Sequence, residues 1–302
     1  MKMTTDSMIF HIKWNQYYYF TGKGLMCRLR YCLILLLVGL LVTKSIGEQA
    51  QSHEETTATT TTTMSSNHRV LHPQSGIDEA WPMQSLDRFQ QFTNNQQSKE
   101  RYSTFMSGCK QAFGKESCEK HEDDRLALNL LQPPLMKNFT TAGYAKVAMP
   151  EEIFSILKNH IERFQDNLDP EEWGQQTYVN HWNTPTDFHN IELFMPMADR
   201  QQITRQVQDV LEQWCGVPLM PTSMYGIRVY RKGSILAPHV DRLPLVISAI
   251  LNVAQEEEGP DWPLQVIGHN GVAVNLTMQP GEMILYESHS VIHGRPYPLQ
   301  KW

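Results

Sequence analysis

The sequence has no dense stretch of lysine and arginine, and this absence excludes one large class of partners. Its 302 residues carry 26 Lys and Arg against 32 Asp and Glu, which gives a formal net charge of -6. Basic side chains are not interleaved with aromatic ones in the way that tracks a phosphate backbone. We therefore expect no nucleic-acid partner. With 41% hydrophobic residues, the chain is long enough for one sizeable core, or for one domain plus an appendage.

An apolar run long enough to cross a membrane is also missing near the N-terminus. The run from Cys32 to Val42 is shorter than the ~20 residues of a spanning helix, but it suits the core of a signal peptide. Basic residues precede the run and small residues follow it, especially if translation starts at Met26. We expect residues 1–47 to be a signal peptide or a single membrane anchor that directs the chain to the endoplasmic reticulum lumen. A buried core helix is the alternative.

Cysteine is scarce, with five in the chain. Cys109 and Cys118 flank the stretch GCKQAFGKESC and are close enough in sequence to form a local disulfide in an oxidising lumen. Reduced thiols are the alternative, because connectivity cannot be read from sequence. Asn138 and Asn275 each begin an Asn-x-Thr sequon and are candidate glycosylation sites in such a compartment.

Beyond residue 47, two segments follow from composition and periodicity. Residues 48–135 include the tract ETTATTTTTM and are largely polar, so we predict a linker that carries the possible cysteine loop. Residues 136–302 are predicted to form the folded domain. Within it, two amphipathic helices occupy about 150–214, and short β-rich runs separated by turns occupy about 224–302.

The two predicted helices rest on apolar side chains that recur at helical spacing. Asp199 is the expected N-cap of the second helix, and Gly216 follows its end. The stripes are Ile153, Leu157, Ile161 and Phe164 in the first helix, and Ile203, Val207, Val210, Leu211 and Trp214 in the second. Together with the strands, they predict a mainly β fold with flanking helices, either a sandwich or a barrel.

The pair His239 and Asp241 lies at the start of a strand-rich region, in the stretch APHVDRLPLVISAIL. Residues two apart share a face on a strand but point about 200° apart on a helix. Similar pairs begin at His53, His121 and His160, where no strand is predicted. The pair at His239 is therefore the one whose side chains converge, and it is half of a possible metal site.

A third ligand is needed to hold a divalent transition metal. Two histidines and one carboxylate on one face, with open positions, are typical of non-haem Fe(II) oxygenases. His269 lies in a GHNG turn and is predicted to face solvent. His289 and His293 both follow the strand-like run GEMILYE, and either can supply the third ligand.

Four stretches carry a resemblance to a known family. YGIRVYRKGSILAPHVD, LVISAILNV, QPGEMILYES and SVIHGRP resemble the catalytic core of the prolyl 4-hydroxylase family of Fe(II)- and 2-oxoglutarate-dependent dioxygenases. The resemblance implies that His239, Asp241 and His293 bind iron, with His293 favoured over His289 because a Gly and Pro turn follows it. It also implies that Tyr230 hydrogen-bonds the cosubstrate; an aromatic core residue on its strand is the alternative.

The same resemblance implies a fold and an activity. The fold would be a double-stranded β-helix, or jelly-roll. The activity would convert 2-oxoglutarate and O2 to succinate and CO2 while hydroxylating a prolyl residue of a peptide or protein, as procollagen-type enzymes do. Fe2+, 2-oxoglutarate and L-ascorbate would be the cofactors. Another peptidyl residue or a small molecule is an alternative substrate.

The sequence departs from the family after His293. The family places a Lys or Arg on a further strand to anchor the cosubstrate's distal carboxylate, and here Lys301 is the candidate, since Arg295 comes too soon. The resemblance implies a further strand beyond Trp302, so we expect the jelly-roll of this chain to lack its last strand and to leave an open sheet edge. A truncated product and an inactive dioxygenase-like binding module are therefore alternatives. A cupin-like sugar-binding barrel is disfavoured by Asp241 in place of a second histidine.

Overall fold

The computed structural model describes residues 7–16, 96–164, 166–170, 186–189, 191–255 and 262–300. The helices in these ranges are α1 (Gln96–Phe113), α2 (Lys115–Leu131), α3 (Glu151–Phe164), α4 (Ile191–Phe194) and α5 (Met197–Cys215), with a 3-10 turn at Pro133–Leu135. The strands are β1 (Ser7–Gln16), β2 (Tyr144–Ala148), β3 (Asp169–Pro170), β4 (Thr186–His189), β5 (Leu219–Tyr230), β6 (Leu236–His239), β7 (Ile247–Ala254), β8 (Leu264–Ile267), β9 (Ala273–Leu276), β10 (Glu282–Tyr286) and β11 (Ile292–Arg295).

These strands pair antiparallel in two sheets. The main sheet has the order β2-β10-β7-β1-β5-β4-β3, and the smaller sheet has the order β6-β11-β8-β9. Tyr230, Ile250 and Ile284 of the main sheet share one buried cluster with Leu264 and Val266 of the smaller sheet. The architecture is thus mainly antiparallel strands with a few helices, as the sequence predicted, and it is compatible with a β-sandwich.

Two helices cover the outer face of the main sheet, and both match the predicted amphipathic segments. α3 buries Ile153 and Leu157 completely, and α5 does the same with Ile203. These side chains share a buried cluster with alternate residues of β7. α5 ends at Gly216, whose φ of 72° is left-handed and favours glycine. Its N-cap is Pro196; Asp199, the expected cap, lies in the first turn instead.

The smaller sheet is covered by α1 and α2, which occupy part of the predicted linker. Residues 96–131 form this helical pair, whereas polar composition predicts a linker over residues 48–135. The apolar residues that contradict a linker include Tyr102 and Phe105, which are buried together with Ala237 and Ile292 of the smaller sheet. Residues 48–95 lie outside the described part of the chain.

A disulfide joins the two helices. Cys109 of α1 and Cys118 of α2 are bonded, with their Cα atoms 6.1 Å apart. Both residues are completely buried and belong to the cluster that packs against the smaller sheet. The cross-link therefore constrains the pair that covers the smaller sheet.

The N-terminus enters the main sheet as β1, which pairs with β5 on one side and with β7 on the other. The sequence predicts a targeting segment over residues 1–47, and a cleaved signal peptide would remove β1 from the sheet. Residues 17–47, including the apolar run, lie outside the described residues. No described helix has the length and apolar character needed to cross a bilayer.

Candidate metal centre

His239 and His293 are brought together by the pairing of two neighbouring strands. His239 ends β6, His293 lies in β11, and the two are register partners in the antiparallel pair. Their ring centroids are 4.5 Å apart. Gly294 permits this approach, because a Cβ at that position would lie 2.7 Å from the Pro238 Cα atom.

Asp241 completes a group of three possible ligands. One ligand atom from each of His239, Asp241 and His293 lies within 4.8 Å of the others. His239 Nε2 is 3.9 Å from Asp241 Oδ1. The His239 side chain is 13% exposed and that of Asp241 only 6%. The donor set of two imidazoles and one carboxylate fits Fe(II), and its partial exposure leaves a side open to ligands.

Backbone carbonyl groups orient both imidazoles. The Nδ1 atom of His239 is 2.8 Å from the Ala237 carbonyl oxygen, and that of His293 is 2.9 Å from the Val291 carbonyl oxygen. A carbonyl oxygen accepts only, so each Nδ1 carries the proton. Nε2 of each ring then carries the lone pair and is the atom that can bind a metal. This is the usual arrangement where a hydrogen bond from the other ring nitrogen fixes the tautomer.

Two serines support the carboxylate of Asp241. Ser248 Oγ donates to Asp241 Oδ2 at 3.4 Å, and its oxygen lies 2.8 Å from Ser288 Oγ, which can donate to it. The Asp241 backbone N–H donates to the Ser288 carbonyl oxygen at 2.7 Å. Both serines are completely buried, so they hold the carboxylate in one orientation.

Helix α2 fixes the backbone around His239 through buried polar side chains. Asn129 donates to the Pro238 carbonyl oxygen at 2.9 Å and accepts from the Val240 N–H at 3.0 Å. Arg125 also donates to that Pro238 oxygen, at 2.6 Å, through Nη1. The segment on both sides of His239 is therefore held by the helix and not only by its own strand.

The end of the same helix holds the backbone of Asp241 through Gln132. The buried charge of Arg125 on the helix is paired. Gln132, just after α2, donates through Nε2 to the carbonyl oxygens of Asp241 and His289 at 2.7 and 2.8 Å. Arg125 pairs with Glu122 at 2.5 Å, and Tyr102 donates to Glu122 at 2.8 Å. Sequence analysis missed these residues. The sequence signal that could have revealed them is the helical spacing of Glu122, Arg125 and Asn129, which places these polar side chains on one face of α2.

An aromatic residue of the main sheet, Tyr286, packs against one of the three possible ligands. The ring of Tyr286 lies 4.5 Å from that of His293. Burial, followed by the nearby Asp241 charge, raises the pKa of Tyr286 well above its ordinary value. Tyr230, the predicted cosubstrate residue, is completely buried, and its hydroxyl accepts from Arg228 Nη1 at 3.3 Å.

Arg295 is a buried cation close to this group. Its guanidinium carbon lies 4.3 Å from the centroid of the Trp262 ring, and Nη1 donates to the Trp262 carbonyl oxygen. Burial lowers the pKa of Arg295 to about 10, so the group is charged at neutral pH. Sequence reasoning set Arg295 aside for its closeness to His293. The other candidate anchor, Lys301, lies outside the described residues.

His289, the alternative third ligand, does not belong to the group of three. It is 2% exposed, with its ring 6.0 Å from that of Phe139. Burial lowers the pKa of His289 to about 4, so its imidazole is neutral at neutral pH. Of the two histidines that sequence left open, the structure brings His293 to His239 and Asp241.

His269 was predicted to face solvent, and this was wrong. Its side chain is 5% exposed, with Nδ1 3.0 Å from the Thr140 carbonyl oxygen. Its Nε2 lies 3.6 Å from Oε2 of Glu287, which is completely buried and accepts the N–H of Phe139 and of Thr140. The His269 ring packs onto the segment before β2, to which Thr140 belongs. A sequence signal for a turn predicts the turn but not this long-range contact.

The remaining candidates are the two glycosylation sequons and the two other described His-x-acid pairs. Asn138 and Asn275 are both exposed, as a glycosylation site requires. His121 and Asp123 lie on α2, and His160 and Glu162 lie on α3, so neither pair has the strand geometry of His239 and Asp241.

Comparison with known proteins gives a remote structural likeness. No protein-family model and no curated protein matches the chain. Among solved structures, the chain is similar to a prolyl-4-hydroxylase from Pseudomonas putida, with a TM-score of 0.40 and 19% sequence identity. The match covers 51% of this chain and 84% of that one.

Proposed function

We propose that this protein is an Fe(II)- and 2-oxoglutarate-dependent dioxygenase with a double-stranded β-helix core. The observation that carries the proposal is the convergence of His239, Asp241 and His293 from two strand ends, with their ligand atoms within 4.8 Å. Both histidines present Nε2 because Nδ1 is hydrogen-bonded to backbone. Such a three-residue face binds Fe(II) and leaves coordination positions for cosubstrate and O2.

The bound iron would supply activation of O2, coupled to oxidation of 2-oxoglutarate to succinate and CO2, with the second oxygen atom entering a C–H bond of the substrate. The protein's own residues orient the groups and exclude water. Ser248 and Ser288 hold the Asp241 carboxylate, and Tyr286 packs on the ring of His293. L-ascorbate is the proposed reductant that returns the iron to the ferrous state.

The proposed substrate is a proline-containing peptide or protein, and prolyl hydroxylation is the proposed reaction. The partial exposure of His239 supports access from one side, because His293 and Asp241 are more deeply buried. Another peptidyl residue is the alternative target. Tyr230 is proposed to contact the cosubstrate, supported by its burial and its hydrogen bond to Arg228.

The proposed compartment is the lumen of the secretory pathway. The Cys109–Cys118 disulfide supports it, because such bonds persist in oxidising compartments. The N-terminus of the protein isolated from cells tests this. Cleavage near residue 47 would support entry through a signal peptide and would mean that β1 is absent from the mature sheet. An intact N-terminus together with reduced Cys109 and Cys118 would contradict it.

The activity is tested by measuring succinate release from 2-oxoglutarate by the full chain with Fe(II), ascorbate and a proline-rich peptide. We expect succinate release that rises with peptide and a peptide product heavier by one oxygen atom. His239→Ala should abolish both. Arg242→Ala, at an exposed neighbouring position, is the matched control and should retain them. A folded, iron-loaded protein that releases no succinate with or without peptide would contradict the proposal.

A further inference from the structure

The sequon at Asn275 lies on an edge strand of the smaller sheet. Among the residues that the structure describes, β9 pairs with β8 alone and ends the strand order β6-β11-β8-β9. The outer backbone groups of an edge strand can pair with another chain, and proteins usually guard such an edge with charged residues, a bulge or a cover. The residues of β9, AVNL, include no charge, and their pairing with β8 has no register shift.

The Asn275 side chain lies on the outer face of the smaller sheet. Its neighbours Val274 and Leu276 pack against the buried cluster that the two sheets share. Successive side chains of a strand alternate between faces, so Asn275 lies on the opposite face, beside its register partner Gln265. Asn275 is also exposed. A group attached to it would therefore extend over the outer face and the open edge.

The amide of Asn275 is oriented by its oxygen and not by its nitrogen. Gln265 Nε2 donates to Asn275 Oδ1 at 3.0 Å across the strand pair. Asn275 Nδ2 makes no side-chain hydrogen bond to any described residue. Nδ2 is the atom that carries the sugar in N-glycosylation. The contact with Gln265 is therefore compatible with a sugar at this position.

The threonine of each sequon distinguishes the two candidate sites. Thr140, in the sequon at Asn138, donates through Oγ1 to the buried Glu287 carboxylate at 2.7 Å, so the fold itself explains this threonine. The Thr277 side chain makes no hydrogen bond to any residue within the described ranges. The described fold gives no reason for a threonine at 277, whereas the sequon requires a hydroxyl residue there.

We propose that Asn275 carries an N-linked oligosaccharide that covers the open edge of β9. In the attachment step, Nδ2 attacks the anomeric carbon of an oligosaccharyl diphospholipid. A C–N bond forms, the bond from that carbon to the diphosphate oxygen breaks, and the diphospholipid leaves while Nδ2 loses one proton. The sugar is bulky and hydrophilic, so it hinders a second chain from pairing with β9. This inference rests on the proposed compartment and not on the dioxygenase activity.

Peptide mapping of the full chain, expressed in eukaryotic cells that perform N-glycosylation, tests the modification. A peptide N-glycosidase converts a glycosylated asparagine to aspartate, which mass spectrometry locates; an untreated sample controls for spontaneous deamidation. We expect the conversion at Asn275 in wild type and in Thr277→Ser, which keeps the sequon, and none there in Thr277→Ala.

The state of the disulfide separates this inference from the proposed compartment. An unmodified Asn275 in protein with the Cys109–Cys118 disulfide formed would overturn the inference and leave the compartment standing. If Asn275 is unmodified and both cysteines are reduced, the inference and the proposed compartment fail together.

Sedimentation velocity tests the covering role. Asn275→Gln and Thr277→Ala both lack the sugar, and each should show a self-associated fraction at least about threefold that of wild type at equal concentration. Asn275→Lys also lacks the sugar but places a charge on the edge, so it should associate as little as wild type. Equal association in all four proteins would overturn the covering role.

Co(II) binding shows whether the sequon acts on the edge or on the metal centre. Val266, the register partner of His293, packs in the interior cluster, whereas Asn275 lies on the other face. Thr277→Ala should therefore bind Co(II) within about twofold of wild type, as distant independent sites do. A larger loss would show that the sequon affects the metal centre and would overturn a role confined to the edge.

Discussion

At the residue scale, hydrogen bonds decide what each histidine near the site can do. His239 and His293 each have Nδ1 on a backbone carbonyl, which makes Nε2 the ligand atom. His289 lies only four residues before His293, but it is buried and does not belong to the group of His239, Asp241 and His293. The motif HxD predicted one half of the site. The choice between His289 and His293 depended on a resemblance, because residue type alone does not separate two nearby histidines.

His289 predicts a loss of stability in mild acid. Its pKa is lowered by burial to about 4 in the folded state, whereas the unfolded group titrates near 6.5. Between these values the unfolded chain binds more protons, so the free energy of unfolding falls as pH falls from about 6.5 toward 4. The expected loss from this group is about 2 kcal/mol between pH 7 and pH 4.5.

Urea unfolding at the two pH values measures this effect in wild type and in His289→Gln, each without metal. The variant should show a smaller pH-dependent loss than wild type. An identical pH dependence in the two proteins would mean that the buried imidazole does not control stability in this range.

At the element scale, the spacing of β6 and β11 sets the distance between the two histidines. Gly294 lies between His293 and Arg295, and a Cβ there would meet the backbone of Pro238 and Leu236 at 2.7 to 2.8 Å. Backbone cannot move aside as a flexible side chain can. The glycine therefore keeps the two strands close enough for both imidazoles to reach one ion.

Gly294→Ala should separate β6 from β11 and weaken metal binding. We expect a loss of roughly 1 to 3 kcal/mol in unfolding free energy from the overpacked contact, and Co(II) affinity lower by at least tenfold. Calorimetric titration and urea unfolding measure the two effects. Gly233→Ala is a control for lost glycine flexibility, since nothing lies within 4 Å of its added Cβ. It should destabilise without affecting Co(II) affinity, and an equal loss of affinity in both variants would contradict this account.

Helix α2 supplies a second element that holds the ligands. Asn129 bonds the backbone on both sides of His239, at Pro238 and Val240. Asn129→Leu keeps a similar volume but leaves the buried Val240 N–H without its acceptor, which costs about 1 to 3 kcal/mol. We expect this variant to bind Co(II) at least tenfold more weakly. Leu130→Ala, at the exposed neighbouring position, should bind as wild type does, and unchanged affinity in Asn129→Leu would refute the role of the helix.

At the scale of the whole molecule, β1 is one of the elements that sequence did not predict, together with the helices α1 and α2. Its residues SMIFHIKWNQ have the β-branched and aromatic character of a strand, but the apolar run that follows indicated a targeting segment. Local sequence does not show which strands such a segment pairs with, because its pairing with β5 and β7 is set by the tertiary fold. The helices α3 and α5 were predictable, since their apolar stripes are periodic and local.

The pairing of β1 is tested by His11→Pro. A proline in a strand with neighbours on both sides removes a ladder hydrogen bond, so we expect a loss of about 3 kcal/mol or more in unfolding free energy. Faster amide exchange in β5 and β7 should accompany it. Thr5→Pro, two residues before β1, is the control and should change little. Wild-type exchange in both neighbours of His11→Pro would show that β1 does not lie between them.

The central claim is that His239, Asp241 and His293 bind one metal ion, and Co(II) titration followed by visible absorption tests it most directly. The account predicts one Co(II) per chain and affinity at least about 100-fold lower in Asp241→Ala and in His293→Ala, because each removes a ligand. His289→Ala should bind with wild-type affinity. Affinity that survives loss of Asp241 or His293, or that depends on His289 instead, would contradict it.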